Sequence, residues 1–263
     1  CLIESDHIED SSVDLILTDL PYGTMKGRDY STQPNQKQGS KTKNDHSWDN
    51  VIDAKKIYEI ANRVLRKNGK MLLFAQQPFT TYLIHNAIPN IPHSYNLIWE
   101  KFNFANCLLI NKACANFYED ILVFSKTHET NAGHPLRGYF NQELVKSKLD
   151  NKEINKILGN KMGSRYFGKG TQFCIPTEKN YIKLQKSGFF TKEYHEIKEV
   201  DNEFKKKYAS VFNLPEGQKY KSNIFKYKRT EVGYHPTQKP VELLEDLIKT
   251  YSNPGNLVVD LTM

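Results

Sequence analysis

The chain is read as an α/β protein, a doubly wound sheet interrupted by a mostly helical insertion, on three observations. Short apolar runs such as "VDLILT" (Val13 to Thr18), "MLLFA" and "LVVDL" have the pattern of strands buried on both faces. Segments between them carry apolar residues at helical spacing, so strands and helices alternate. From about Pro135 to Lys228 that alternation stops: Lys, Asn, Tyr and Phe dominate, and no long buried-strand run occurs. The expected division is a first part of the core at residues 1–134, an inserted target-recognition region at 135–228, and a return to the core at 229–263.

In chain order, "VDLILT" predicts a strand that delivers Asp19 to its carboxyl end. Gly23 to Asn50 follow, and "KGRDYSTQPNQKQGSKTKND" is polar, basic and almost free of aliphatic side chains, which predicts a long loop. "DAKKIYEIANRVLRKNGK" puts Ile57, Ile60, Ala61, Val64 and Leu65 on one helical face, with Asp53 as its cap and an end near Gly69. "MLLFA" is the next buried strand, and "SYNLIWEK" and "YEDILVFSK" are two more. "VELLEDLIKTY" places Val241, Leu244, Leu247, Ile248 and Tyr251 on one face behind Pro240, and "LVVDL" is a strand that brings Asp260 to its end. In such sheets ligands sit beyond the carboxyl ends of the strands, where Asp19 and Asp260 both stand.

The 263 residues are 38% hydrophobic and 12% aromatic, enough for a sizeable core in one large domain or one domain with an insertion. A formal charge of +7, concentrated in Lys-rich segments, suits a polyanionic partner. Cys1, Cys107, Cys114 and Cys174 show no C-x-x-C spacing and the histidines are scattered, so neither a disulfide framework nor a metal site is signalled. No apolar run approaches the roughly 18 to 20 residues a membrane span needs, which gives the expectation of a soluble, cytoplasmic protein. The sequence opens at Cys1 and stops at Met263 just after an apolar run, so both ends read as cut from a longer polypeptide.

Asp19-Leu20-Pro21-Tyr22 carries the chemistry. A carboxylate at a strand's end accepts hydrogen bonds from an amine, and the turn after it exposes a backbone carbonyl as a second acceptor. Tyr22 adds a flat face for stacking. Together they suit a planar ring with an exocyclic amine, which a nucleobase swung out of its helix presents. The bland alternative is a strand ending in which Asp19 caps the turn and Tyr22 packs.

The segment "HPTQKPVELLEDLIKTYSNPGNLVVDLTM" couples a polar loop, a helix and a strand ending in Asp260. With "DLPYG", "NLIWEK" and "NFYEDILVFSK" in the same order, the chain resembles the β-ordered class of S-adenosylmethionine-dependent DNA amino-methyltransferases, most specifically adenine methylases carried by phages. The resemblance implies a Rossmann-like sheet, S-adenosylmethionine as cofactor and double-stranded DNA as partner, for a monomer or a homodimer. It also implies that Asp19 and the Leu20 carbonyl hold the target amine, that Pro21 fixes the turn, and that Tyr22 stacks on the flipped base. Cys1, Asp19, His235, Thr237, Gln238, Lys239 and Asp260 are implied to line the cofactor site. Leu20 departs from the proline usual in the family, and that position acts through its backbone. An acid at position 19 is usual in adenine enzymes, whereas serine is usual in those modifying cytosine N4. Trp99, Glu100, Tyr118 and Glu119 match family positions and are assigned no chemistry. The other readings are cytosine N4 transfer and a non-catalytic helix-turn-helix DNA-binding protein.

The insertion supports the last of these in part. "DNKEINKILGNKMGSRYFGKGTQF" starts with Asp150-x-x-Glu153, buries Ile154, Ile157 and Leu158, turns at Gly159-Asn160 and restarts a short helix through Met162 and Tyr166. Lys161, Arg165 and Lys169 would face DNA from it, or merely form a solvated face. Lys26, Arg28, Lys37, Lys41 and Lys43 of the long loop are candidates for phosphate contacts.

Overall fold

The computed structural model describes residues 4–23, 49–104, 110–127, 133–168, 173–229 and 238–262. Cys1, Lys26, Arg28, Lys37, Lys41, Lys43, Lys169, His235 and Thr237 lie outside these residues. The strands are β1 (Val13–Asp19), β2 (Leu65–Ala75), β3 (His93–Glu100), β4 (Tyr118–Ser125), β5 (Ile224–Lys226) and β6 (Val258–Val259). The helices are α1 (Ala54–Val64), α2 (Phe79–His85), α3 (Leu136–Ser147), α4 (Asn151–Leu158), α5 (Gly163–Tyr166), α6 (Glu178–Gln185), α7 (Tyr194–Tyr208) and α8 (Val241–Tyr251). Contacts divide the chain into two compact units, one of residues Cys1–Thr127 with Ser210–Met263 and one of His128–Ala209.

The first unit holds a single sheet in the order β5-β3-β4-β2-β1-β6. β1 runs parallel to β2 and β6, and β3 parallel to β5, while β4 is antiparallel to both β2 and β3. Alternation along the strands supplies both faces. Met71, Leu73, Ala75, Leu122 and Phe124 face a core shared with Ile57, Tyr58 and Ala61 of α1 and Phe79 and Leu83 of α2. Leu72, Phe74, Ile121 and Val123 face the other, shared with Leu243, Leu247 and Tyr251 of α8. The sheet is therefore covered on both sides, and each fully buried Leu or Phe stabilises it by about 1.5–3 kcal/mol.

Three expectations about the sheet unit need correction, and one of its helices was not expected. The α1 helix ends at Val64 and not near Gly69, because Leu65 is already extended and pairs with Val13. The two carbonyls this leaves, those of Asn62 and Leu65, accept from Lys126 Nζ at 2.6 and 2.7 Å, so a cation caps the helix end. α8 buries Leu243, Leu247, Thr250 and Tyr251, whereas Val241 is 63% and Ile248 36% exposed, so its inner face is rotated from the one expected. α2 answers to no expected element. Finally, Ser210 to Lys228 belongs with the sheet: β5 is an edge strand of three residues with only Phe225 buried, too short to leave an apolar run.

The second unit is helical and closes around Phe140, Ile154, Leu158, Tyr166, Tyr181, Leu184, Phe190 and Ile197. α4 starts with the expected capping box between Asp150 and Glu153, both hydrogen bonds at 2.8 Å, and stops at Gly159 in the left-handed conformation. α5 is one turn only, and its Tyr166 and the adjoining Phe167 are buried. The restarted helix is thus a corner packed into a core, without the length of a groove-reading helix, and this corrects the helix-turn-helix expectation. Lys161 and Arg165 are exposed on it. No described helix is long and apolar enough to cross a membrane.

Candidate active site

From Leu15 onward β1 stays in register with β2 to its last residue, where Asp19 lies opposite Phe74. Leu20 then turns its side chain into the core at 2% exposure, so the following turn hangs from a buried anchor. Gly23 closes the turn at φ +71°, and its N–H donates to the buried Asp49 carboxylate at 2.9 Å. A Cβ at position 23 would lie 2.5 Å from Val51 Cγ2, so the turn demands glycine twice over.

The Asp19 carboxylate engages a different donor with each oxygen. Oδ2 accepts from Lys239 Nζ at 2.6 Å and Oδ1 from the Tyr22 hydroxyl at 3.0 Å. Both donors also approach Glu119 Oε2, the Lys239 Nζ at 3.4 Å and the Tyr22 hydroxyl at 3.3 Å. Glu119 Oε1 in turn accepts from Lys101 Nζ at 2.6 Å. Glu119 arrives here because β4 runs against its neighbours: the start of β4 meets the end of β3, with Glu119 opposite Trp99. Lys239 comes from the residue before Pro240, the cap of α8, and its ammonium lies over the rings of Tyr22 and Phe74 at 5.5 and 5.1 Å. The Tyr22 ring is 5.7 Å from that of Phe79.

Burial sets the electrostatics. The side chains of Lys101, Lys239 and Glu119 are 2%, 7% and 14% exposed, and that of Asp19 is 30% exposed. Desolvation raises the Asp19 carboxyl above its ordinary value, an effect that Lys239 only partly offsets. Desolvation and then the two carboxylates push the Tyr22 hydroxyl far up. For Glu119 desolvation is the largest single influence, but Lys239 and Lys101 together outweigh it and hold the carboxyl down. Burial lowers Lys101 in spite of Glu119. An ion-paired aspartate is also what a plain strand ending would have; its partial exposure at the strand's carboxyl end is what leaves Asp19 open to a ligand.

Asp260 stands just past β6, next to β1 in the sheet. Its Oδ1 accepts from the Thr18 hydroxyl at 2.6 Å and from the Thr262 N–H at 2.9 Å, so the second carboxylate is tied to the residue before Asp19. A cavity of about 230 Å³ lined by Glu100, Lys101, Phe102, Phe117 and Lys226 adjoins the cluster through Lys101.

Among the expected residues, Asp19, Tyr22 and Lys239 meet directly, with Leu20 and Pro21 forming the link and Gln238 preceding Lys239. Lys239 and Asp19, both expected at the cofactor site, pair with each other here. Glu119 and Lys101 were not expected to take part. Beyond the family match at Glu119, their sequence signal is a charged residue at the edge of each apolar run, "WEK" and "YEDILVF".

The family model described as DNA methylase, for the N6 and N4 enzymes, matches residues 13–263. Type II methyltransferase M.HpaI of Haemophilus parainfluenzae is 22% identical over 262 residues, an alignment that covers 97% of this chain and 58% of that protein. The chain thus spans little more than half the length of that curated relative. Among solved structures, an M1.HpyAVI–SAM complex aligns with a TM-score of 0.42 at 17% identity, covering 98% of this chain and 74% of that one. TTHA0409 of Thermus thermophilus aligns with a TM-score of 0.43 at 14% identity, covering 98% and 75%. Since the matched residues take in every strand of the sheet, the chain belongs to the DNA methylase family of N6 and N4 enzymes.

Proposed function

We propose that the protein transfers a methyl group from S-adenosylmethionine to N6 of an adenine swung out of double-stranded DNA. The observation that carries this reading is the partly exposed Asp19 carboxylate at the carboxyl end of β1, beside the turn that holds Leu20 and Tyr22. The residues present fit the cofactor: Asp19 and Asp260 put two carboxylates at the ends of adjacent strands, a donor set suited to a cationic ligand. When bound, the cofactor supplies a methyl carbon made electrophilic by its sulfonium.

Asp19 and the Leu20 carbonyl accept the two protons of the amine, which localises the nitrogen lone pair and aims it. The bound cofactor would supply the methyl group and take back the sulfur–carbon bonding pair, so that the positive charge would pass to the amine nitrogen held by Asp19 and the Leu20 carbonyl. The surplus proton passes to the Asp19 carboxylate, whose basicity burial has increased, and from its exposed edge to solvent. Tyr22 supports the base through its ring. Lys161 and Arg165, exposed in the helical unit, support DNA contact there, with Lys26, Arg28, Lys37, Lys41, Lys43 and Lys169 as further candidates for phosphates.

The test is methyl incorporation into DNA by the full-length protein and its Asp19→Ala variant, followed by nucleoside analysis of the product. The expected product is N6-methyladenine, with a loss on the order of a hundredfold or more in the variant. N4-methylcytosine as product, or equal activity of the variant, overturns the reading.

A further inference from the structure

We propose that Glu119 is a positioning residue, the seat that receives the Lys239 ammonium when a target amine takes over the Asp19 carboxylate. The proposal rests on the methyl-transfer reading and adds to it a residue that acts through Lys239 and Tyr22.

An amine that hydrogen-bonds Asp19 must compete with the two donors already there, Lys239 at 2.6 Å and Tyr22 at 3.0 Å. Lys239 has nowhere cheap to go: its side chain is 7% exposed, and a buried ammonium with no acceptor is strongly disfavoured. Yet both donors converge on one second acceptor, Glu119 Oε2, at 3.4 and 3.3 Å. A shift of under about 1 Å exchanges one carboxylate for the other, within the reach of ordinary side-chain motion. Glu119 is itself fixed for this task, because Lys101, 2% exposed, holds its other oxygen at 2.6 Å.

Charge leads to the same conclusion. The cluster holds two carboxylates, Asp19 and Glu119, and two ammoniums, Lys101 and Lys239. Moving Lys239 from one carboxylate to the other keeps that balance within the cluster while opening Asp19 to a neutral amine. Without the charge on Glu119, Lys239 stays on Asp19 and blocks it.

The test is a double-mutant cycle on the full-length protein with Glu119→Gln, Lys239→Met and the double variant, reading kcat and KM for DNA and, separately, cofactor binding by calorimetry. Glu119→Gln is expected to lower kcat/KM for DNA by on the order of tenfold to a hundredfold, the range seen for residues in one charged network, with cofactor affinity unchanged. In the Lys239→Met background the same change is expected to cost less than about threefold, since no ammonium is left to park. Glu119→Asp, which keeps the charge, should recover part of the loss and covers the case in which the glutamine variant does not fold. The acid limb of kcat/KM should also move to lower pH in Glu119→Gln, because the Glu119 charge is one of the influences that raise Asp19. Equal losses in both backgrounds, or an unmoved acid limb, overturn the proposal. If the wild type makes no methylated adenine, the functional reading itself fails; an active wild type with an additive cycle removes only the role of Glu119.

Discussion

Replacing Gly23 by alanine tests whether the turn after β1 is built as described. The backbone there has φ +71°, where an L-residue costs about 1–2 kcal/mol. The added Cβ would stand 2.5 Å from Val51 Cγ2, against the roughly 3.5–4.0 Å of an ordinary carbon contact. Forcing a methyl into such a space costs about 1–3 kcal/mol, nearer the lower figure here because Val51 is 49% exposed and has room to yield. The expected total is about 2–4 kcal/mol, a large share of the roughly 5–15 kcal/mol that holds a domain folded. The assay is urea unfolding of Gly23→Ala with and without Val51→Ala. The second change removes the contact but not the dihedral, so about 1–2 kcal/mol should remain in the double variant. A Gly23→Ala loss within about 0.5 kcal/mol of zero, or one that Val51→Ala leaves untouched, would mean that the turn is not strained in this way.

Asp19→Asn should abolish methyl transfer without lowering stability at neutral pH. A carboxyl raised by burial contributes stability that is full below its ordinary value and lost as pH rises through the folded one, so at neutral pH the charge weakens the fold; thermal melts near pH 7 check this. His134, 8% exposed and lying against Phe173 and Phe204 with ring centroids at 5.0 and 4.4 Å, is lowered by desolvation more than Asp201 raises it, with Lys205 and Arg137 adding to the lowering. Its neutral form therefore stabilises the helical unit above about pH 6.5, and that contribution is lost as pH falls through the lowered folded value. Near-ultraviolet dichroism should lose signal on acidification, and His134→Gln should flatten that dependence. Glu143 accepts from the Phe190 N–H at 2.7 Å inside the same unit, so Glu143→Ala leaves that buried donor unsatisfied and should cost about 1–3 kcal/mol in denaturant unfolding. The Lys146 hydrogen bond outweighs burial and holds the Glu143 carboxyl below its ordinary value, so its contribution is present above that value and fades as pH falls through the folded one.

The legible parts of this protein are those written in short range. The run "VDLILT" became β1 almost residue for residue, and the Asp150–Glu153 capping box formed as its spacing required. Where local signals competed with distant partners, the distant partners won. The helical periodicity that runs on past Val64 is cut off because Leu65 finds Val13 across the sheet and Lys126 binds the carbonyls left over. β5 left no signal, since three edge residues with one buried side chain carry no period to read.

The alternation of strands and helices, the placing of Asp19 at a strand's carboxyl end and the glycine turn that follows can be read along the chain, because dihedral preference and apolar period act between near neighbours. The grip of Lys239 on Asp19 across 220 residues of chain, and the place of Glu119 within reach of Lys239 and Tyr22, arise only when the chain is folded. The direction of β4 and the cap of α8 bring those charges together, and an ion pair is fixed by distance in space, which no local pattern encodes.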